Sequence, residues 1–100
     1  MKETTVIRVT DRHIAEGKPR SECECPLALA VIEALAAEGV IAEAGTVEVD
    51  YYDVFVVDGE SGCRRYRATL PAEAADFVDD FDDGDPVVPF EAELTWEITA

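Results

Sequence analysis

The residues with the clearest chemical potential lie at positions 71–85, PAEAADFVDDFDDGD, where seven of fifteen are acidic. At 100° per residue, Ala74, Phe77, Val78 and Phe81 share one arc of a helix, and Glu73, Asp76, Asp79, Asp80 and Asp83 fall roughly opposite. The pattern predicts a docked helix with an anionic outer face. Like charges three and four residues apart on a helix destabilise it by roughly 0.2–0.5 kcal/mol per pair, so this bank is kept against a local cost. Arrayed carboxylates can hold a hard cation, or they can offer a basic protein surface the charge it otherwise takes from phosphates. Calcium fits poorly, because residues 79–85 lack the D-x-[DN]-x-[DN]-G spacing. Glu91 also lies seven residues beyond Gly84, where six are needed. The phosphate-like reading takes Glu73, Asp76, Asp79, Asp80, Asp82, Asp83 and Asp85 as partner-binding residues, and the plain alternative is a solvated acidic face.

Cys23, Cys25, Cys63 and the single histidine, His13, would have to converge from separate elements to form a Cys₃His zinc site, and C-x-C is a poorer chelate than C-x₂₋₄-C. No metal or other cofactor is expected. Cys25 precedes Pro26 and is placed to cap a helix, where the dipole lowers a thiol pKa and favours reactivity, although Glu22 and Glu24 oppose that. A partly buried structural thiol is the plainer reading. The odd count of cysteines and the absence of a secretion signal argue against a disulfide framework. No nucleophile sits near His13 in sequence and no carboxylate pair has an apolar setting, so an enzyme is not expected. Arg64, Arg65 and Arg67 read as cross-strand partners for Glu91, Glu93 and Glu97, or for Glu48 and Asp50.

The elements that must position these groups follow from period and punctuation. A β-branched strand is predicted at 5–10, then a helical turn at 11–16 capped by Thr10, with Gly17 ending it in a left-handed conformation before Pro19. After a loop at 21–25, Pro26 opens a helix, LALAVIEALAAEG, ending at Gly39. It is apolar nearly all round, which implies burial on more than one side. Residues 46–58 make one long strand, or two short ones with a bulge or break near 50–53. A turn at 58–62 leads to a strand at 63–70 with Tyr66, Ala68 and Leu70 on one face and Arg65 and Arg67 on the other. Pro71 opens the acidic helix, Gly84 and Pro86 close it, and 90–99 alternates cleanly as a last strand. The order β-α-β-β-α-β implies a two-layer α+β fold, a largely antiparallel sheet covered on one face by two helices, with ferredoxin-like connectivity as one candidate.

One hundred residues support one domain and one modest core, and 48% hydrophobic residues in periodic blocks exclude wholesale disorder. No stretch approaches the roughly 20 apolar residues of a membrane span, and a cytoplasmic location is expected. The net charge of −15 is unevenly laid out: residues 1–20 carry +2, 21–63 carry −10, 64–67 carry +3 and 68–100 carry −10. Two base-free acidic blocks make direct binding to nucleic acid or to an anionic surface improbable and point to a cationic protein partner.

The skeleton Val6-Ile7-x-Val9, His13-Ile14-x-x-Gly17, Ser21, Cys25-Pro26-x-Ala28-x-Ala30, Leu70-Pro71, Phe77, Phe81-Asp82, Gly84, Val87 and Pro89-Phe90 resembles small uncharacterised proteins of bacteriophages and prophages of high-GC, actinobacterial hosts. The resemblance implies a phage-type protein acting inside a bacterium and assigns no functional residue. Together with the charge it leads to the expectation of a small inhibitor that occludes a basic nucleic-acid-binding site on a host or defence protein, with an apolar edge near Phe90 or the buried helix adding affinity. Two other readings are a metal- or thiol-dependent accessory protein using Cys23, Cys25 and Cys63, and a structural homo-oligomer whose first long helix is buried between subunits.

Overall fold

Apolar residues at period two and period 3.6 build an α+β fold, seen in a computed structural model that describes residues 3–40, 46–57 and 60–99. The order is β1 (Thr4–Val9), α1 (Asp11–Glu16), α2 (Pro26–Ala37), β2 (Val47–Val49), β3 (Asp53–Val57), β4 (Arg64–Thr69), α3 (Ala72–Asp82), β5 (Phe90–Thr95) and β6 (Glu97–Ile98). All strand pairings are antiparallel, in a two-stranded sheet β1-β5 and a four-stranded sheet β2-β3-β4-β6. Ile7, Leu27, Val31, Leu35, Val54 and Leu94 are fully buried where α2 and the sheets meet.

Among the described residues the order has three helices and six strands, not β-α-β-β-α-β, and each further strand has a local cause. Of the two readings of residues 46–58, the two short strands with a break near 50–53 form, and the single long strand does not. The chain reverses after Val49, with the Asp50 N–H donating to the Asp53 carbonyl at 2.8 Å, and β2 and β3 pair as a hairpin. Of the expected turn at 58–62, Asp58 and Gly59 lie outside the described residues. The last strand changes partner at Trp96, whose side chain stays on the core face and whose backbone N–H, donating to the Glu3 carbonyl at 2.8 Å, makes the last bond toward the first strand. β5 therefore pairs with β1, and β6, one residue on, pairs with β4. Ile98, expected on the core face, is 76% exposed. Ferredoxin-like connectivity does not form, because it needs an interior first strand and β1 has one neighbour.

Helix ends follow the punctuation with one exception. Thr10 caps α1 in a capping box whose third residue is His13. Gly17, however, is extended at φ −70, not left-handed. Its glycine is required by space, since a Cβ there would lie 2.5 Å from the Pro26 ring. α2 begins with Cys25 as cap and Pro26 in the first turn. It is apolar but not wholly buried: Leu27, Ala28, Ala30, Val31 and Leu35 are covered, whereas Ala36 and Ala37 are exposed.

Candidate partner-binding surface on the third helix

α3 is built as its pattern requires. Ala74, Phe77 and Val78 are buried and Phe81 is half-buried, while Glu73, Asp76, Asp79, Asp80 and Asp83 are exposed. Pro71 precedes the helix and makes no side-chain cap. At the C-terminus, Gly84 at φ +79 lets its own N–H donate to the Phe81 carbonyl and the Asp85 N–H to the Asp80 carbonyl, 3.1 and 2.9 Å away. This crossed pair of bonds closes the helix with a left-handed glycine. Only Glu73 sits where the helix dipole favours an anion. Asp79, Asp80 and Asp82 crowd the last turn, which holds no basic residue.

The seven predicted residues divide into three groups. Glu73, Asp76, Asp79, Asp80 and Asp83 form the outer bank. Asp82 is half-buried and holds two parts of the fold together. Its Oδ1 accepts the Arg20 N–H at 2.7 Å, tying α3 to a loop residue in the left-handed region, φ +58. Asp85 is exposed beyond the helix end. Among the described residues, none of the seven forms an ion pair with a lysine or arginine side chain; Arg8, Arg12, Lys18, Arg64 and Arg67 pair with other carboxylates, and Arg20 lines a cleft with Asp79, Asp82 and Asp83.

A groove of about 460 Å³ runs beside this bank. Phe77, Val87, Val88 and Phe90 supply its apolar surface, with Glu73, Asp76 and Asp80 along one rim. The rings of Phe77 and Phe90 pack 4.8 Å apart at 44°, and Val88 is 73% exposed. A second cleft, of about 410 Å³, lies on the other flank between α3, the 20–25 loop and β2, where Asp79, Asp82 and Asp83 face Glu22 and Asp50. Among the described residues no three carboxylate, thiol or imidazole groups gather closely enough to hold a metal.

The structure separates the thiols and the histidine. Cys63 is exposed, Cys23 half-buried and Cys25 buried. Cys25 does cap α2, its Sγ accepting the Ala28 N–H at 3.5 Å, but burial outweighs those backbone contacts and pushes the thiol up to about 11. The lowering expected from the helix dipole is thus overturned by desolvation. Burial, with Glu48, Glu22 and Glu24 adding to it, also raises Cys23. His13 is 1% exposed and both its ring nitrogens are occupied: Nδ1 accepts the Thr10 N–H at 3.0 Å, which leaves Nε2 to donate to Glu33 at 2.9 Å. The hydrogen bond from His13, then that from Arg12, holds the Glu33 carboxyl below its ordinary value. His13 is therefore the bolt between α1 and α2, with no lone pair left for zinc.

Arg67 of β4 pairs with a carboxylate on the adjacent strand β6, and Arg64 reaches past β3 to one on β2. Arg64 reaches Glu48 at 3.3 Å with its guanidinium 3.8 Å from the centre of the Phe55 ring, and Arg67 reaches Glu97 at 3.0 Å. Glu91 pairs with Arg8 instead, at 3.0 Å.

Sequence reasoning placed the acidic bank and expected an apolar edge near Phe90, and missed that the surface is a groove whose walls come from α3 and from residues 86–90. The clustered Pro86, Val87, Val88 and Pro89 were the available signal, an apolar run with no strand period. No family model, curated protein or solved structure is similar to this chain. Among the described residues no helix is long and apolar enough to cross a membrane.

Proposed function

We propose that this protein is a small acidic binding protein of phage type that blocks a basic, nucleic-acid-handling surface of a host or defence protein by standing in for phosphates. The observation that carries this reading is the exposed bank on α3, unpaired with any basic side chain among the described residues and bordered by an apolar groove. Glu73, Asp76, Asp79, Asp80 and Asp83 span ten residues of helical rise, about 15 Å. That is roughly one charge per 3 Å, close to the one per 3.4 Å along a single strand of duplex DNA. A site evolved for a phosphate backbone would therefore meet a similar charge density. Charge steers the encounter, and the Phe77, Val88 and Phe90 surface supplies the apolar contact that holds a complex once formed.

The test is capture from a bacterial lysate with the parent protein and with a variant carrying Asp76→Asn, Asp79→Asn, Asp80→Asn and Asp83→Asn. The parent should retain basic nucleic-acid-handling proteins and lose them to raised salt and to competing duplex DNA, whereas the variant should retain none. Equal capture by both would show that this helix is not the binding surface.

A further inference from the structure

Two of the edge strands, β2 and β1, are treated differently. β2 is covered, because the Val49 N–H on its outer side donates to the Glu22 carbonyl of the 21–25 loop at 2.7 Å. β1 is not. The Trp96 N–H donates to the Glu3 carbonyl, and in an antiparallel ladder alternate residues point their backbone groups the same way. Thr5, Ile7 and Val9 therefore face β5, and Thr4, Val6 and Arg8 turn their N–H and C=O groups outward. The next residue in that phase, Thr10, sends its N–H to His13 Nδ1, as this alternation requires. Among the described residues nothing bonds the outward groups of Thr4, Val6 and Arg8. Shallow grooves of about 260 and 300 Å³ run along this edge, walled by Ala30, Ala34 and Ala37 of α2, and Val6 is 50% exposed.

The geometry points to a second copy of this chain as the occupant, with the two β1 strands pairing antiparallel about a twofold axis at Val6. The edge is self-complementary there. Val6 faces Val6 of the second copy and Thr4 faces Arg8 in both directions, so every outward group finds a partner. Three residues with one donor and one acceptor each give six hydrogen bonds across the seam. No like charges meet: Arg8 lies opposite a threonine and is already neutralised by Glu91. The alanines of α2 allow the two helices to approach beside the seam, and the carboxylates at the end of α2 nearest it are engaged, Glu33 by Arg12 and His13 and Glu38 by Thr5; Glu93, beside Val6 on β5, is exposed. Residues 1–20, which carry the edge, hold +2 in a chain of −15, so this is the part of the surface least opposed to self-association. Uncovered edges in monomers are usually blunted by charged side chains, proline or a bulge; β1 has no proline or bulge, and its one charge, Arg8, is paired with Glu91.

Sedimentation equilibrium over a range of concentrations, joined to amide hydrogen exchange, tests the proposal. The parent should form dimers in which the Val6 and Arg8 amides become protected as concentration rises, while the Ile7 amide, bonded to β5, is protected throughout. Val6→Lys places two ammonium groups across the axis and should weaken dimerisation by at least about tenfold, leaving Ile7 protected. A monomer at every concentration, or a dimer in which Val6 and Arg8 still exchange freely, overturns the proposal. So does a dimer that Val6→Lys leaves intact. If the variant fails to fold, the concentration dependence of exchange in the parent still decides.

Discussion

The indole N–H of Trp96 donates to Thr5 Oγ1 at 2.9 Å, joining residues 91 positions apart, and the same hydroxyl donates onward to Glu38 Oε2 at 2.8 Å. One hydroxyl thus fixes the point where the last strand changes partners against the first strand and the end of α2. Thr5→Val keeps the shape and removes the hydroxyl, stranding a buried indole N–H. It should cost about 1–3 kcal/mol in urea denaturation. Thr5→Ser, which keeps both bonds, should cost less.

The α3 carboxylates oppose the helix that displays them. The fourfold Asn variant at positions 76, 79, 80 and 83 removes six like-charge pairs at helical spacing: 73 with 76, 76 with 79, 76 with 80, 79 with 82, 79 with 83, and 80 with 83. It should therefore be more stable than the parent by roughly 1–3 kcal/mol at low salt, with the gap closing as salt is raised. Thermal melts at two ionic strengths measure this. A destabilised variant would mean that these carboxylates are structural, as Asp82 is.

Gly17 and Gly84 are needed for different reasons, and alanine separates them. At Gly17 a methyl would lie 2.5 Å from two carbons of Pro26, so Gly17→Ala must push α1 from α2 and should cost about 1–3 kcal/mol. At Gly84 nothing lies within 4 Å of an added Cβ, and the cost comes from φ +79 alone, about 1 kcal/mol. Chemical denaturation should rank them in that order.

Cys25 makes stability fall at alkaline pH. Its folded thiol is raised to about 11 from 9.0, so the unfolded chain loses its proton first. The stability gained by keeping the thiol protonated is complete below about pH 9 and is lost as pH rises toward 11, roughly 2–3 kcal/mol in all. Cys25→Ser keeps an N-cap oxygen and should remove this alkaline loss, seen as a changing difference from the parent between pH 8 and 11. In the parent, thiol alkylation should proceed at exposed Cys63 first and at Cys25 only after unfolding.

Local chemistry was enough to place most elements. A proline that can only begin α2, a glycine that ends α3 and a strict 3.6-residue apolar period within α3 do not depend on the rest of the chain. The exposed positions of Glu73, Asp76, Asp79, Asp80 and Asp83 follow from that period. The pairing of Arg67 with Glu97 was within reach because alternation puts side chains of one phase on one face, whereas Arg64, in phase with Tyr66 by alternation, reaches Glu48 beyond the register shift at Val56 and Val57.

Relations between distant residues were decided only by the tertiary structure. Alternation through residues 90–99 reads as one strand, and Trp96 keeps that phase, its side chain in the core and its N–H still bonded to Glu3 on the β1 side; only the folded chain brings Glu97 and Ile98 to β4, so the strand divides between two partners. Gly17 looked like a left-handed stop, and only the packing of α1 on α2 shows that the Pro26 ring fills the space a side chain would need. Asp82 looked like its acidic neighbours until the fold brought Arg20 to it across 62 residues of sequence. The charge was written in the composition, since every carboxylate carries it wherever it lies. Which carboxylates are left facing solvent beside an apolar groove, and which strand edge is left open, depends on what the rest of the chain covers.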